Sequence, residues 1–565
     1  MPPVRYHRRG PWARDAKGSI TIETRTETMT DDTTNSRTRG ARPRVVHGAG
    51  RPRPWAVFVA AFAVFCGLGG AWAVASPLMS VPDEPAHTIH AAAVVRGQLS
   101  GDPVEQQGWT RVTVPEYVAQ TTSLPCFAFN DDVDASCQAT VSDSDADTSA
   151  VTTAGSYDPV YYAFVGLPSL VLDGKASLYA MRGFSVILSA ALLASAVAAL
   201  VQRRSSRWSL MAVVVLTTPM VLFITGSVNP SSMEISAAVA LFAWLTLLRE
   251  RADEGLPVHR IAMVAVSASL LANTRSIGLL WLLVIVVAST LDLALWRRLL
   301  RSVAFWVAAA VIGAASVFSL LWVLATQSLS PTVPNPGVGS TFESGFIRMI
   351  FLTFENGQGY VGIFGWLDAP APATTVVLWS CCMIVLVLAA LVFGRGPARL
   401  GTAVLALAFV VAPPIIQGIA VTDYGYIWQS RYILAVLVCV LLSAGAALDE
   451  AFPAPTTGRM KTLVVVVLAA LGVMQLHTFV WTLRRYVVGW SDQSGGWGAM
   501  FTDPRWAPSG GWIVWTVVFA AVWATGAVLT ARAMSGSAPG HDEPAARLSD
   551  EATASPAAVS ASRDA

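Results

Sequence analysis

Residues 157–172 read YDPVYYAFVGLPSLVL. Whether this stretch crosses a membrane decides the polarity of everything after it. If it crosses, the runs QRRSSR (202–207), RER (249–251), WRRLLR (296–301) and GRGPAR (394–399) all lie outside the cell. If it does not, all four lie inside, together with the Arg-rich segment that begins the chain. Lysine and arginine stay on the cytoplasmic side of multi-spanning proteins. The charge pattern therefore predicts an interfacial or re-entrant helix from Tyr157, a placement that Pro159, Pro168 and the tyrosines suit.

Working outward from there, the chain of 565 residues is 54% hydrophobic and only 13% charged. Soluble domains carry about 25% charged residues, so the composition predicts an all-α polytopic membrane protein. Apolar stretches long enough to span run roughly 55–75, 177–201, 208–226, 231–248, 259–273, 276–295, 303–325, 374–394, 399–420, 430–448, 461–481 and 512–532. That is about twelve transmembrane helices at about 20 residues each, the fifth being short. The first span ends in AWAVAS, an A-x-A-like cleavage pattern. Its apolar run exceeds the roughly 7–15 residues of a signal-peptide core, so it reads as an uncleaved signal anchor.

Three regions follow: a disordered basic cytoplasmic tail (1–54), a membrane domain (55–533) and a disordered cytoplasmic tail (534–565). The expected location is the plasma membrane, multi-pass, with both termini cytoplasmic and the active face extracytoplasmic. External loops are expected at 76–176, 326–373 and 483–510. Cys126 and Cys137 form the one cysteine pair in a polar loop, and an external location favours a disulfide between them over two free thiols. The other four cysteines lie in apolar spans as small packing residues.

The spans carry almost no ionisable residue near their centres, where transporters usually keep them. Charged and amide groups gather instead at external helix ends. The first such group is PDEPAH, just after span one. Pro85 suits a first helical turn, Ala86 to Arg96 can be helical, and Gly97 is a natural stop. Asp83 and Glu84 sit at the positive end of that helix dipole. Helix capping accounts for one acid. A carboxylate fixed at a membrane exit is also a suitable general base for a sugar or lipid hydroxyl, and either acid fits that role. His87 lies four residues from Asp83, so with His90 a divalent metal has candidate ligands, although two histidines three apart on an amphipathic helix are more often interface residues.

Four more motifs share that face. In SVNPSSMEI (227–235), Ser231 and Glu234 read as an S-x-x-E capping box, or Asn229 and Glu234 face an external cavity. NTRS (273–276) puts Arg275 outside against the charge rule, so it calls for an anionic partner. In YIWQSRYIL (426–434), Gln429 and Arg431 open a span from outside. Arg431 is either a bidentate phosphate ligand or an interface arginine in an aromatic belt. GYVGIFGWLDAP (359–370) offers Trp366 to stack on a sugar and Asp368 to hydrogen-bond it, or simply packs at the interface. No Gly-rich phosphate loop, zinc motif or G-x-S-x-G occurs, and no feature points to nucleic acid. No motif demands a cofactor.

PDEPAH, VNPSSMEI, GIFGWLD and QSRYIL together resemble the uncharacterised bacterial membrane family called domain-of-unknown-function family 2142, in order along roughly residues 55–480. Where that family commonly has QGRYLLP, this chain has QSRYILA. The family is similar to the GT-C-type glycosyltransferases that use polyprenyl-phosphate sugars. The resemblance implies a GT-C-like fold, with juxtamembrane helices in a large first external loop and Asp83 or Glu84 as base. It also matches YDPVYYAF…MRGFSVIL to a pattern whose first part lies along the membrane and whose second part spans. The expected activity is transfer of a sugar from a polyprenyl-phosphate donor to a glycan or lipid acceptor of the cell envelope. The alternatives are a transporter or flippase for lipid-linked sugars, which would keep polar groups at mid-span, and a non-catalytic envelope-assembly protein.

Overall fold

The computed structural model describes residues 53–106, 108–328, 335–453, 458–490 and 496–535. The expected tails fall almost wholly outside that range. Among the described residues, nine helices are long and apolar enough to cross a bilayer: Pro54–Ala75, Gly174–Leu200, Pro230–Glu250, Val303–Thr326, Ala373–Phe393, Gly396–Tyr424, Ser430–Ala451, Gly458–Val487 and Trp512–Ser535. Two bent pairs bring the count to eleven if each is one broken span rather than a re-entrant loop. Arg207–Leu216 and Pro219–Thr225 meet at 68°, and Gly278–Ser289 and Leu293–Leu299 at 111°. The first bend has a local cause. Thr218 precedes a proline and is extended, as the proline ring requires of its neighbour. The expected fifth span is the 15-residue helix Val258–Ala272, about 22 Å long against a hydrocarbon core of about 30 Å. The expected count of twelve is reached only by including it.

Pro230–Glu250 and Ser430–Ala451 are enclosed by other helices, while Val303–Thr326 and Trp512–Ser535 are the least covered. The first span leans on this centre. The Trp72 ring meets Phe223, Phe364, Phe479 and Phe519 at centroid distances of 4.9–6.4 Å. Close approach depends on small residues, as between helices in lipid generally. At Gly226 a Cβ would stand 2.8 Å from the Ala73 nitrogen.

Helix ends sort into two groups. One gathers the basic runs, where Arg203 pairs with Glu250 (2.7 Å) and Asp449 (3.2 Å), and Arg249 with Glu450 (2.9 Å). The runs from Trp296 and Gly394 join it through contacts at Leu248 and Phe452. The other end carries the long first loop. The stretch from Tyr157 forms only the helix Pro159–Val165 and a 3-10 turn, Leu167–Leu170. Seven helical residues rise about 10 Å, far short of a crossing, so this stretch forms no spanning helix, as the charge pattern predicts.

The first loop is more than the juxtamembrane helices expected of it. Besides Glu84–Val94 and Pro159–Val165 it holds a three-stranded antiparallel sheet, β1 (Asp102–Pro103), β2 (Thr110–Pro115) and β3 (Asp147–Thr152), in the order β1-β2-β3. Thr110 pairs with Thr152 and Pro115 with Asp147. Alternation places Val112 and Val114 inward, while Arg111 and Thr113 face out, the pattern of a strand with one covered face. Thr152 ties the sheet to the helix by donating to the Ala86 carbonyl (2.8 Å). A Cys126–Cys137 disulfide closes the next segment. Arg485 then anchors that segment, donating to the carbonyls of Val133 (2.5 Å), Phe127 (2.8 Å) and Asn130 (2.8 Å).

The loop is fastened to the spans by one buried ion pair. Arg182, in the span Gly174–Leu200, meets Glu84 two-pronged: Nε to Oε1 and Nη2 to Oε2, both 2.7 Å. Its remaining N–H groups reach the carbonyls of Ala73 (2.8 Å), Ser76 (3.0 Å) and Pro77 (2.7 Å), where the first span ends. Glu84 also accepts from the Val228 amide (3.2 Å). Neither side chain is more than 1% exposed. Removing one charge from such a pair leaves the other stranded, at a cost of about 3–5 kcal/mol. Glu84→Gln should therefore lower the thermal midpoint and folded yield of the purified protein sharply. Asp83→Asn, next to it but half-exposed and held through one nitrogen of Arg431, should lower the midpoint less. Equal midpoints for the two variants would contradict this division of labour.

Candidate functional site

Asp83 has a left-handed backbone, φ 67°, a conformation sparsely populated by residues other than glycine. It is the N-cap of Glu84–Val94 but makes no side-chain cap bond. Pro82 and Pro85 fix the chain on either side. This turn throws the two acids in different directions. Glu84 goes inward to Arg182, and Asp83 goes to Arg431, which reaches it through Nη2. The carboxylate of Asp83 is 49% exposed, yet dense protein surrounds it, so it meets solvent from within a recess. Burial alone would push its pKa up. The guanidinium of Arg431, with Arg275 behind it, outweighs that and holds it below the usual carboxylate value.

Arg431 enters from the 3-10 turn Ser430–Ile433, ahead of the central helix Leu434–Ala451. Its Nη1 is 3.4 Å from the Pro82 carbonyl, and its buried Nε has no partner. Arg275 enters from the short link between Val258–Ala272 and Gly278–Ser289. It donates to Ser231 Oγ (3.2 Å) and lies over the ring of Tyr432, 4.4 Å from the centroid, with Tyr157 at 5.8 Å. No carboxylate among the described residues comes within ion-pair distance of it. The sequence analysis gave Tyr157, Tyr432 and Ser231 no part in holding Arg275, although each lies in a quoted motif.

The capping-box reading of SVNPSSMEI does not hold. The helix starts at Pro230, and Asn229 caps it, its Oδ1 accepting from the Ser231 amide (3.0 Å). Glu234 therefore has no capping duty. Both its oxygens are buried without a hydrogen-bond partner, as is Asn229 Nδ2. The Asn229 amide donates to Tyr161 Oη (2.9 Å). Gln429, beside Arg431, likewise has a buried Oε1 without a partner.

Trp366 and Asp368 are engaged elsewhere. Trp366 donates from Nε1 to the Met79 carbonyl (3.0 Å) and packs edge-on against Phe129. Asp368 accepts from Arg485 (2.7 Å) and from the Trp366 amide (3.0 Å). These contacts hold the turn onto the first loop and leave neither group facing the recess as a sugar ligand. His87 and His90 are also inward. His87 Nδ1 is hydrogen-bonded to Tyr162 Oη (2.8 Å), and the His90 ring packs edge-on against Tyr162. Burial pushes the pKa of His87 down to about 3 and that of His90 down to about 4. Among the described residues no group of three or more His, Cys, Asp or Glu could hold a metal ion.

The fold and this cluster define a polytopic helical membrane protein with an ion-paired polar recess at one end of its bundle. The chain belongs to the family described as "Predicted membrane protein (DUF2142)", whose profile matches residues 66–440. That match includes Asp83, Arg182, Arg275 and Arg431 and ends before Arg485. No curated protein matches the chain.

Both histidines are neutral when folded and take up a proton near pH 6.5 once exposed. The stability they contribute is full above about pH 6.5 and falls as the pH drops toward 4, by about 1.4 kcal/mol per pH unit for each. Hydrogen exchange of residues 84–94 should therefore quicken over that interval. A His87→Gln, His90→Gln variant should show a flatter profile. An equally steep one would contradict the assignment.

Proposed function

We propose that this protein is a glycosyltransferase of the outer membrane leaflet that moves a sugar from a polyprenyl-phosphate donor to a glycan or lipid acceptor of the cell envelope. The observation that carries the reading is the meeting of Asp83 and Arg431, with Arg275 close by, in a recess at the non-basic end of the bundle. The positive-inside rule assigns that end to the extracytoplasmic side. A lipid-linked phosphate has its headgroup at that level, and guanidinium groups are suited to it.

In this reading Asp83 is the base and Glu84 is not, because Glu84 is spent on Arg182. The Asp83 carboxylate takes the proton of an acceptor hydroxyl as that oxygen bonds to the anomeric carbon of the sugar. The bond from that carbon to the phosphate oxygen breaks, and polyprenyl phosphate leaves with the electron pair. Arg431 and Arg275 stabilise the charge that develops on it. Glu234, buried near Arg275 without touching it, adds to the field that keeps that guanidinium charged.

Loss of a general base typically costs about 10²–10⁴-fold in rate. In cells carrying Asp83→Asn at normal membrane abundance, the surface glycan should disappear and the lipid-linked sugar should accumulate. Arg431→Gln should give the same pattern. Unchanged glycan in Asp83→Asn cells would overturn the catalytic reading. Accumulation on the cytoplasmic leaflet alone would favour a flippase.

A further inference from the structure

We propose that Asp83 occupies the anion position on Arg431 until a phosphate displaces it, so that donor binding releases the base. This rests on the transferase reading above.

The first observation is how little of Arg431 is used. A guanidinium carries five N–H donors in a fork that matches two oxygens at once. Here one nitrogen, Nη2, holds the Asp83 carboxylate, Nη1 is loosely placed at 3.4 Å from the Pro82 carbonyl, and Nε is buried without a partner. The contrast with Arg182 is direct, since that side chain meets Glu84 through two nitrogens and three carbonyls besides. The second observation is a second guanidinium close by. Arg275, which contributes to the field on Asp83, is held by Ser231 and Tyr157 and has no carboxylate in ion-pair range among the described residues, Glu234 lying farther off.

The third observation is that, among the described residues, Arg431 alone hydrogen-bonds the Asp83 side chain. It makes no cap bond to its own helix, and it is 49% exposed. Rotation about its side-chain torsions frees it while the left-handed turn and the helix stay in place. This pair joins a half-exposed carboxylate to one nitrogen of a buried guanidinium, whereas a bidentate arginine–phosphate contact is among the strong ones. A phosphate therefore wins the exchange, and binding and release are one equilibrium.

The consequence is chemical. The groups facing Asp83 are Arg431, Arg275, His87 and Tyr157. With Arg431 on it, the carboxylate is a poor proton acceptor. Once Arg431 turns to phosphate, the carboxylate has lost its cation and gained an anionic neighbour, and its proton affinity rises. The empty site thus holds its base in check and does not activate water. Donor binds first and acceptor second.

The test uses the full chain in lipid nanodiscs, titrated with farnesyl phosphate, inorganic phosphate and farnesol. Asp83→Asn should bind both phosphates about five- to tenfold more tightly than wild type, because the internal competitor is gone. Farnesol should bind the two alike. Asparagine accepts a left-handed backbone, so the variant should fold, with a cooperative thermal transition and normal yield as the check. Arg431→Gln should weaken farnesyl phosphate by at least about tenfold, and Arg431→Lys, which keeps the charge and loses the fork, should fall between. If Arg431→Gln weakens binding while Asp83→Asn binds no more tightly than wild type, the displacement idea is wrong and the transferase reading stands. If neither variant changes phosphate affinity, both fall.

Discussion

The ion pair between Arg182 and Glu84 is the contact on which the rest of this end of the molecule depends. A charge inside the bilayer region is tolerated only when its partners are complete. Arg182 spends its guanidinium on one carboxylate and on three carbonyls where the first span ends. That single side chain joins the first span, the start of the loop helix and the span Gly174–Leu200. Glu84 adds the turn before the central helix Pro230–Glu250 through the Val228 amide. The exit angle of the chain is thereby set before any residue of the recess is placed.

From that constraint the geometry of Asp83 follows. With Glu84 committed inward and Pro82 and Pro85 stiffening the chain, the left-handed backbone at Asp83 directs its carboxylate into the recess. Strained conformations of this kind persist where the surroundings over-determine them. Two adjacent acids thus have opposite characters, one immobile and saturated, the other half-exposed and held by one contact. Position in the sequence does not distinguish them, and the partner does.

Most of the spans and the clustering of polar groups at one end were legible in the sequence, because hydropathy and the arginine runs are local signals. The stretch from Tyr157 shows how far such signals reach. Charge excluded a crossing there, and the seven-residue helix agrees. What was not legible depends on partners far apart in the chain. Arg182 lies 98 residues from Glu84 and Arg431 lies 348 from Asp83. Averaging over an apolar window hid Arg182, although a lone arginine in a span calls for an acid. Glu234 was misread because S-x-x-E fits a cap, and Asn229 two residues earlier took that duty. Trp366 and Asp368 had the residue types of a sugar site, yet Met79 and Arg485 already use them. The small sheet of the first loop was missed because its strands are short and the segment between β2 and β3 is long.

The arginines on the side opposite the basic runs can now be compared on one footing. Each runs against the charge bias of the chain, so each calls for a local reason. Arg182 has Glu84, Arg485 has Asp368, and Arg431 has Asp83. The first two pairs are buried and complete, and they organise the loop. The third is partly open. Arg275 has a serine and two aromatic rings, which stabilise a cation without neutralising it. Among these four, Arg275 has no carboxylate within ion-pair distance among the described residues, and Arg431 meets its carboxylate through one nitrogen only. In the transferase reading proposed above, an anionic headgroup would supply the partner that Arg275 lacks and take up the donors that Arg431 leaves unused.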